Sequence, residues 1–159
     1  MAKLKKSWKE KLADDKDLPR VVKIEGKMSR RWGTGTCVIP APREVDNIIR
    51  RVPRGKLITV NQIREALAVK HHTTIGCPIT TGIFAGIAAR AAEEDRTEGR
   101  KRITPWWRTL RSDGQLNPKY PGGVENQRRL LEEEGHEMVQ RGELIRVADW
   151  EKRLVNPPL

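Results

Sequence analysis

Hydrophobic positions in this chain fall into helix-spaced stripes separated by short extended runs. Val45, Ile48, Ile49 and Val52 recur at intervals of 3, 4 and 7, the spacing of one helix face, with Pro42 suited to the first turn and Pro53-Arg54-Gly55 ending it. Leu57-Ile58-Thr59 reads as extended, and Asn61 is placed to cap a helix carrying Ile63, Ala66 and Leu67 on one side. A loop from Lys70 to Ile79 leads into a helix that starts at Thr80 or Thr81, its stripe of Ile83, Phe84, Ile87, Ala88 and Ala91 reaching Glu94. Two helices joined in this way form a helix-turn-helix, although the connection is longer than the roughly 3–4 residues of the simplest version.

Beyond a charged loop, residues 93–102, the run from Ile103 to Leu110 is strand-like and Ser112-Asp113-Gly114 turns the chain. Val124 to Glu134 reads as a helix with Gly135 at its C-terminal cap, and residues 137–147 as a hairpin turning across Arg141-Gly142. At the start, Ser7 caps a short helix to about Asp15 with Trp8 and Leu12 on one side, until Pro19 and Gly26 interrupt it. This leader is expected to dock weakly or not at all. Gly33-Thr34-Gly35-Thr36 lacks the Lys-Ser/Thr of a phosphate loop and is read as a connector. The pattern predicts a mostly helical α+β chain with a few short strands: a basic, partly flexible leader over 1–40, one domain over 41–150 and a tail over 151–159.

Charge adds a candidate partner to this picture. The 159 residues carry 32 Lys and Arg against 21 Asp and Glu, a formal charge of +11, the footprint of a protein that binds a polyanion. Residues 1–31 alone hold 11 basic and 5 acidic side chains, net +6. Either this leader meets nucleic acid or it serves solubility, and no adjacent apolar anchor fits it for membrane attachment. Cys37 and Cys77 are too few for a disulfide framework and lack the paired spacing of a zinc site. No apolar run of about 7–15 residues follows the basic start, and no membrane span is found, so a cytoplasmic protein is expected, nucleoid-associated in a bacterium. No metal and no cofactor are expected.

The chemistry-bearing residues lie in the second half. Ile103-Thr104-Pro105-Trp106-Trp107-Arg108 is followed by Tyr120-Pro121-Gly122-Gly123 and by Leu130-Leu131-Glu132-Glu133-Glu134-Gly135. Earlier stand Arg50-Arg51-Val52-Pro53-Arg54-Gly55-Lys56 and Thr59-Val60-Asn61-Gln62-Ile63. In order and spacing, from about Val45 to Gly135, these motifs resemble the C-terminal domain of the alkylguanine-DNA alkyltransferases. The resemblance implies a winged helix-turn-helix DNA-binding domain packed against the reactive region. It places the family's Pro-Cys-His-Arg motif on Pro105 to Arg108, so the methyl-accepting thiolate falls on Trp106 and its activating imidazole on Trp107. Indole offers one N–H donor and no nucleophile. The chain thereby resembles the alkyltransferase-like branch, which carries Trp at the Cys position and binds alkylated DNA without repairing it.

Carried over residue by residue, the base pocket would comprise Trp106, Trp107, Arg108, Tyr120 and Glu134. Glu134, deprived of its histidine, either accepts the indole N–H of Trp107 or caps and solvates the end of its helix. In an extended segment the two tryptophans point to opposite faces. Either both fill core or Trp106 faces the pocket, where with Tyr120 it sandwiches a base. Two family features are missing: the tyrosine that crowds a phosphate would lie at Val60, and the finger that fills the vacancy left by a flipped guanine near Gly82. Glycine cannot fill such a vacancy, so DNA contact is the firmer implication and base extrusion the weaker.

Candidate DNA contacts are Arg50, Arg51, Arg54 and Lys56 about one helix end, with Thr80, Thr81 and Arg90 on the second helix; the same cations also read as a solvated face. Cys77, just before Pro78 at a helix N-terminus, is the one candidate reactive thiol, with His71 and His72 close in sequence. No positioned acid or oxyanion donor accompanies them, and a buried, incidental thiol is the plainer reading. The reading is a non-enzymatic protein that binds double-stranded DNA and serves recognition of alkylated or damaged DNA, handing the lesion to repair proteins. The alternative is a nucleic-acid or protein-interaction adaptor on the same fold without lesion preference. Oligomeric state stays open.

Overall fold

A computed structural model describes residues 6–156; the first five residues of the leader and the last three of the tail lie outside the described part. The chain runs through α1 (Trp8–Ala13), β1 (Arg20–Lys23), α2 (Lys27–Trp32), β2 (Thr36–Ile39), α3 (Pro42–Arg50), β3 (Ile58–Thr59) and α4 (Val60–His71). It continues through β4 (Ile75–Gly76), α5 (Pro78–Thr97), β5 (Thr109–Leu110), α6 (Gly123–Glu133), β6 (Met138–Arg141) and β7 (Leu144–Val147). The architecture is mixed α+β and mostly helical, with α4 and α5 as the helix-turn-helix pair.

The stripe Val45, Ile48, Ile49 and Val52 is buried against Ile58, Ile63, Leu67, Ala85 and Ala88, so α3, α4 and α5 share one core. Thr59, not Asn61, caps α4. Its Oγ1 accepts from Gln62 N at 3.2 Å while Gln62 Oε1 accepts from Thr59 N at 3.1 Å, a reciprocal pair that satisfies two otherwise orphaned donors. Asn61 sits inside the first turn. Likewise α5 starts at Pro78 with Cys77 as N-cap, earlier than the threonines, because proline's missing N–H costs nothing at a helix start.

The leader is not loosely attached. Lys9 explains why, and also why α5 runs through Thr97 where a charged loop was expected. Its backbone N–H donates to Glu94 Oε1 at 2.8 Å, and its Nζ lies 3.1 Å from Asp95 and 2.8 Å from Glu98. Leu12 packs on the main core. Farther along the leader, β1 pairs antiparallel with β2, Arg20 opposite Ile39, and β2 pairs parallel with β4, Cys37 opposite Ile75. Gly33 to Thr36 connects α2 to β2. The C-terminal segment is pinned too: Leu57 N donates to Arg153 O and Val155 N to Leu57 O, both at 2.9 Å.

Of the run expected as one strand, only Thr109–Leu110 is extended, parallel to β3 with Ile58 opposite Thr109. Trp106–Arg108 is a 3-10 turn. The β6–β7 hairpin places Arg141 opposite Leu144, so its turn is Gly142-Glu143, one residue later than expected, with Gly142 at φ 59. That left-handed value is open to glycine at little cost.

Candidate nucleic-acid interface

The Trp106-Trp107 pair sits where three elements converge. Thr104 Oγ1 donates to Asp46 Oδ1 of α3 at 2.7 Å, Trp106 N donates to Thr104 O and Arg108 N to Pro105 O, and the segment curls before β5 takes over. The curl removes the alternation of a strand. The two indoles meet edge to face, centroids 5.9 Å apart at 83°, and Trp106 meets Tyr120 at 5.6 Å and 62°.

Trp106 does not face a pocket. Its exposure is 0% and that of Tyr120 is 4%. Ala89 and Ala92 of α5, with Leu130 of α6, form the rest of this cluster, the alanines leaving room for an indole against the helix. Its Nε1 donates to Glu93 Oε1 at 3.0 Å. Trp107 is the half-buried member, with the Arg96 and Arg108 guanidinium carbons 5.9 and 5.5 Å from its ring centroid.

Glu134 has found new partners. Its Oε2 accepts from Trp107 Nε1 at 2.7 Å and Arg108 Nη2 at 2.9 Å, and its Oε1 from Arg108 Nε at 3.0 Å and Gly55 N at 3.1 Å. The first of the two readings of this acid therefore holds. Burial alone would push the carboxyl up, but bonds from Arg108, Trp107 and Gly55 together hold it below the usual carboxylate range. Arg108 also donates to Val52 O at 2.6 Å. The arginine and the acid thus clamp the Trp turn, the α3–β3 turn and the end of α6 together. Buried Gln127 adds a second tie, its amide nitrogen reaching Trp107 O and Thr109 O while its oxygen accepts from Asn117 N. Sequence reading missed Gln127, because a glutamine in a polar-looking helix carries no mark of burial.

The proposed DNA contacts divide. Thr81 is 0% exposed, and the Thr80 hydroxyl oxygen is also buried, without a partner among the described residues; neither threonine is presented to solvent as a phosphate ligand. The corrected start of α5 turns both inward. Arg50 is held by Asp46 at 2.8 Å. Arg51, Arg54 and Lys56 are exposed on the turn that Glu134 anchors, Arg54 donating to Glu133 O at 3.1 Å, and among the described residues none of the three pairs with a carboxylate. Arg90 is fixed by bonds to Gly86 O at 3.2 Å and Lys119 O at 2.8 Å.

Arg90 and Tyr120 border a groove of about 590 Å³ between α1, the exposed side of α5 and residues 111–120. Its α5 wall is apolar and open: Ile79 and Ile83 are 59% and 54% exposed, with Gly82 and Gly86 between and beyond them. Lys11, Arg111 and Lys119 complete its charge. These three cations were not singled out from sequence, although Arg111 and Lys119 bracket the approach to Tyr120.

Cys77 is buried. It shares an apolar cluster with Ile24 and Cys37, and burial, then the neighbouring Cys77 sulfur, pushes the Cys37 thiol up to about 11. His71 Nε2 is engaged by Glu44 at 2.6 Å and His72 closes α4 in a left-handed conformation. Among the described residues no hydrogen bond joins either ring to Cys77, and no three His, Cys, Asp or Glu side chains gather as a metal site. None of the described helices is long and apolar enough to cross a membrane.

A helix-turn-helix packed on a Pro-Trp-Trp-Arg turn, its arginine clamped by the acid at the end of the next helix, defines the class of domain. The chain belongs to the family of the 6-O-methylguanine DNA methyltransferase DNA binding domain, whose family model matches residues 40–136. The fold is that of S. pombe ATL, solved in complex with DNA, at 18% identity, a TM-score of 0.52 and coverage of 73% of this chain and 94% of that one. A structure of S. pombe Atl1 in complex with damaged DNA containing O6-carboxymethylguanine gives 20% identity and a TM-score of 0.48 with the same coverage. No curated protein sequence matches the chain.

Proposed function

We propose that this protein binds double-stranded DNA without turnover and serves the recognition of alkylated or damaged DNA for repair. One observation carries the reading: in a domain of a DNA-binding methyltransferase family, the position to which the motif resemblance assigns the reactive thiol holds a fully buried tryptophan. Its neighbour Trp107, to which the same resemblance assigns the activating imidazole, donates its single N–H to Glu134. In each indole the nitrogen lone pair is tied up in the aromatic π system, leaving no nucleophile to take up an alkyl group. The exposed Arg51, Arg54 and Lys56, and the cations bordering the α5 groove, supply phosphate contacts. A relative of the same fold, S. pombe ATL, is solved in complex with DNA. A lesion held in this way is marked for repair proteins.

A second reading, a protein-interaction adaptor, is favoured by one feature. The outward face of α5 presents Ile79 and Ile83, and the β6–β7 hairpin exposes Val139 and Leu144 at 48% and 47%, apolar surface that a partner protein would cover.

Salt-titrated fluorescence anisotropy on matched duplexes with and without O6-alkylguanine separates the two. The proposal expects tighter binding to the lesion duplex and, for about five phosphate contacts, a log K against log salt slope of about −4 to −5. Equal affinity for both duplexes favours a nucleic-acid adaptor without lesion preference, and binding to neither favours the protein-interaction adaptor. No binding, or binding indifferent to salt, contradicts the phosphate assignment.

A further inference from the structure

We infer that the leader helix α1 is a working part of the nucleic-acid site, with Trp8 as the stacking wall for an extrahelical nucleotide of bound DNA. The inference rests on the DNA-binding reading and deepens it. The groove between α1, α5 and residues 111–120 has Tyr120 at one edge and the indole of Trp8 at another. It is bordered by Lys11, Arg90, Arg111 and Lys119 and, among the described residues, by no carboxylate. Beyond Trp8 the character reverses: a second hollow, also bordered by Trp8 and Arg90, carries Glu93, Glu94 and Glu98. Trp8 therefore stands between a cationic recess and an acidic one, and a phosphate-bearing base is directed to the first. At about 590 Å³ the groove accommodates a purine.

Local contacts suit the role. Lys11 Nζ lies 4.1 Å and Arg90 Cζ 5.1 Å from the centroid of the Trp8 ring. Arg90 is fixed by two carbonyls, whereas Lys11 is on an exposed, flexible stem. A base stacking on the indole displaces the lysine, whose ammonium then meets the adjoining phosphate. The helix itself is held by other groups, Lys9 on Glu94, Asp95 and Glu98 and Leu12 in the core, so Trp8 is free for a ligand. Trp8 and Lys11 also lie outside residues 40–136, and this wall is an addition to the family's domain.

The test measures the affinity of the full chain, as wild type, Trp8→Ala and Trp8→Phe, for a matched duplex and for one carrying an unpaired O6-methylguanine, with circular dichroism as the check on folding. Trp8→Ala is expected to weaken binding of the unpaired-base duplex tenfold or more and to leave the matched duplex within about twofold, as loss of one stacking contact would. Trp8→Phe retains most of the affinity. Unchanged or tighter binding of the unpaired-base duplex by Trp8→Ala overturns the inference, as does an equal loss on both duplexes. Competition by free dGMP as effective as that by the unpaired-base duplex also overturns it, since the groove would then be a free-nucleotide site. These failures leave the DNA-binding reading standing; failure of the wild type to bind either duplex removes both.

Discussion

Trp106 is a packing residue. Its ring is fully buried against Ala89, Ala92, Tyr120 and Leu130, and its N–H is spent on Glu93. Removing a buried indole forfeits its transfer free energy and leaves a cavity, so Trp106→Ala is expected to lower stability by about 3–5 kcal/mol, read as a shifted midpoint in urea unfolding. An unchanged midpoint would show that the ring is not core. The identity of this residue and of Trp107, Arg108, Tyr120 and Glu134 was legible in the sequence as a motif. Which indole is buried was not. That depends on the 3-10 turn at Trp106–Arg108, imposed by Thr104 on Asp46 and Arg108 on Val52 O and Glu134, contacts between residues 26 to 58 positions apart.

At the level of elements, helices with a strong stripe were legible and their ends were not. The faces of α3 and α4 follow from spacing alone, whereas the cap of α4 passed from Asn61 to Thr59 and the start of α5 from the threonines to Pro78. α1 is the clearest case. A six-residue helix does not stand alone in water, and its partners Glu94, Asp95 and Glu98 are some 85 positions away. The end of α6 yields a pH prediction. Glu134 is held below the usual carboxylate range, so its contribution to stability is present above about 4.5 and is lost as pH falls through the lower folded value. Burial holds His136 below its ordinary 6.5, with Arg153 and Arg108 adding to the effect and Glu134 opposing it. The unfolded chain therefore takes up this proton first, and stability falls as pH drops from 6.5 toward the folded value. Thermal melting as a function of pH should show an acid limb that opens below 6.5 and steepens below 4.5. His136→Gln should flatten its upper part, and a limb unchanged by that substitution would refute the assignment.

Across the whole molecule, the charge excess is part of the architecture. The leader's net +6 over residues 1–31 reads as a loose basic tail in sequence, yet Lys9 is engaged by carboxylates of α5 and Lys11 borders the groove beside Arg90. The family DNA-binding domain over residues 40–136 is thus flanked by a leader helix that borders the groove, and Trp106 within it is fully buried. Recognition without transfer is the central claim. It is tested most directly by holding a duplex with one O6-methylguanine under a saturating concentration of the protein, then digesting the DNA to quantify the modified base and weighing the protein by intact mass spectrometry. The account predicts complex formation with the lesion recovered in full and the protein mass unchanged. Loss of the methyl group from the DNA, matched by a methyl gained on the protein, would contradict it.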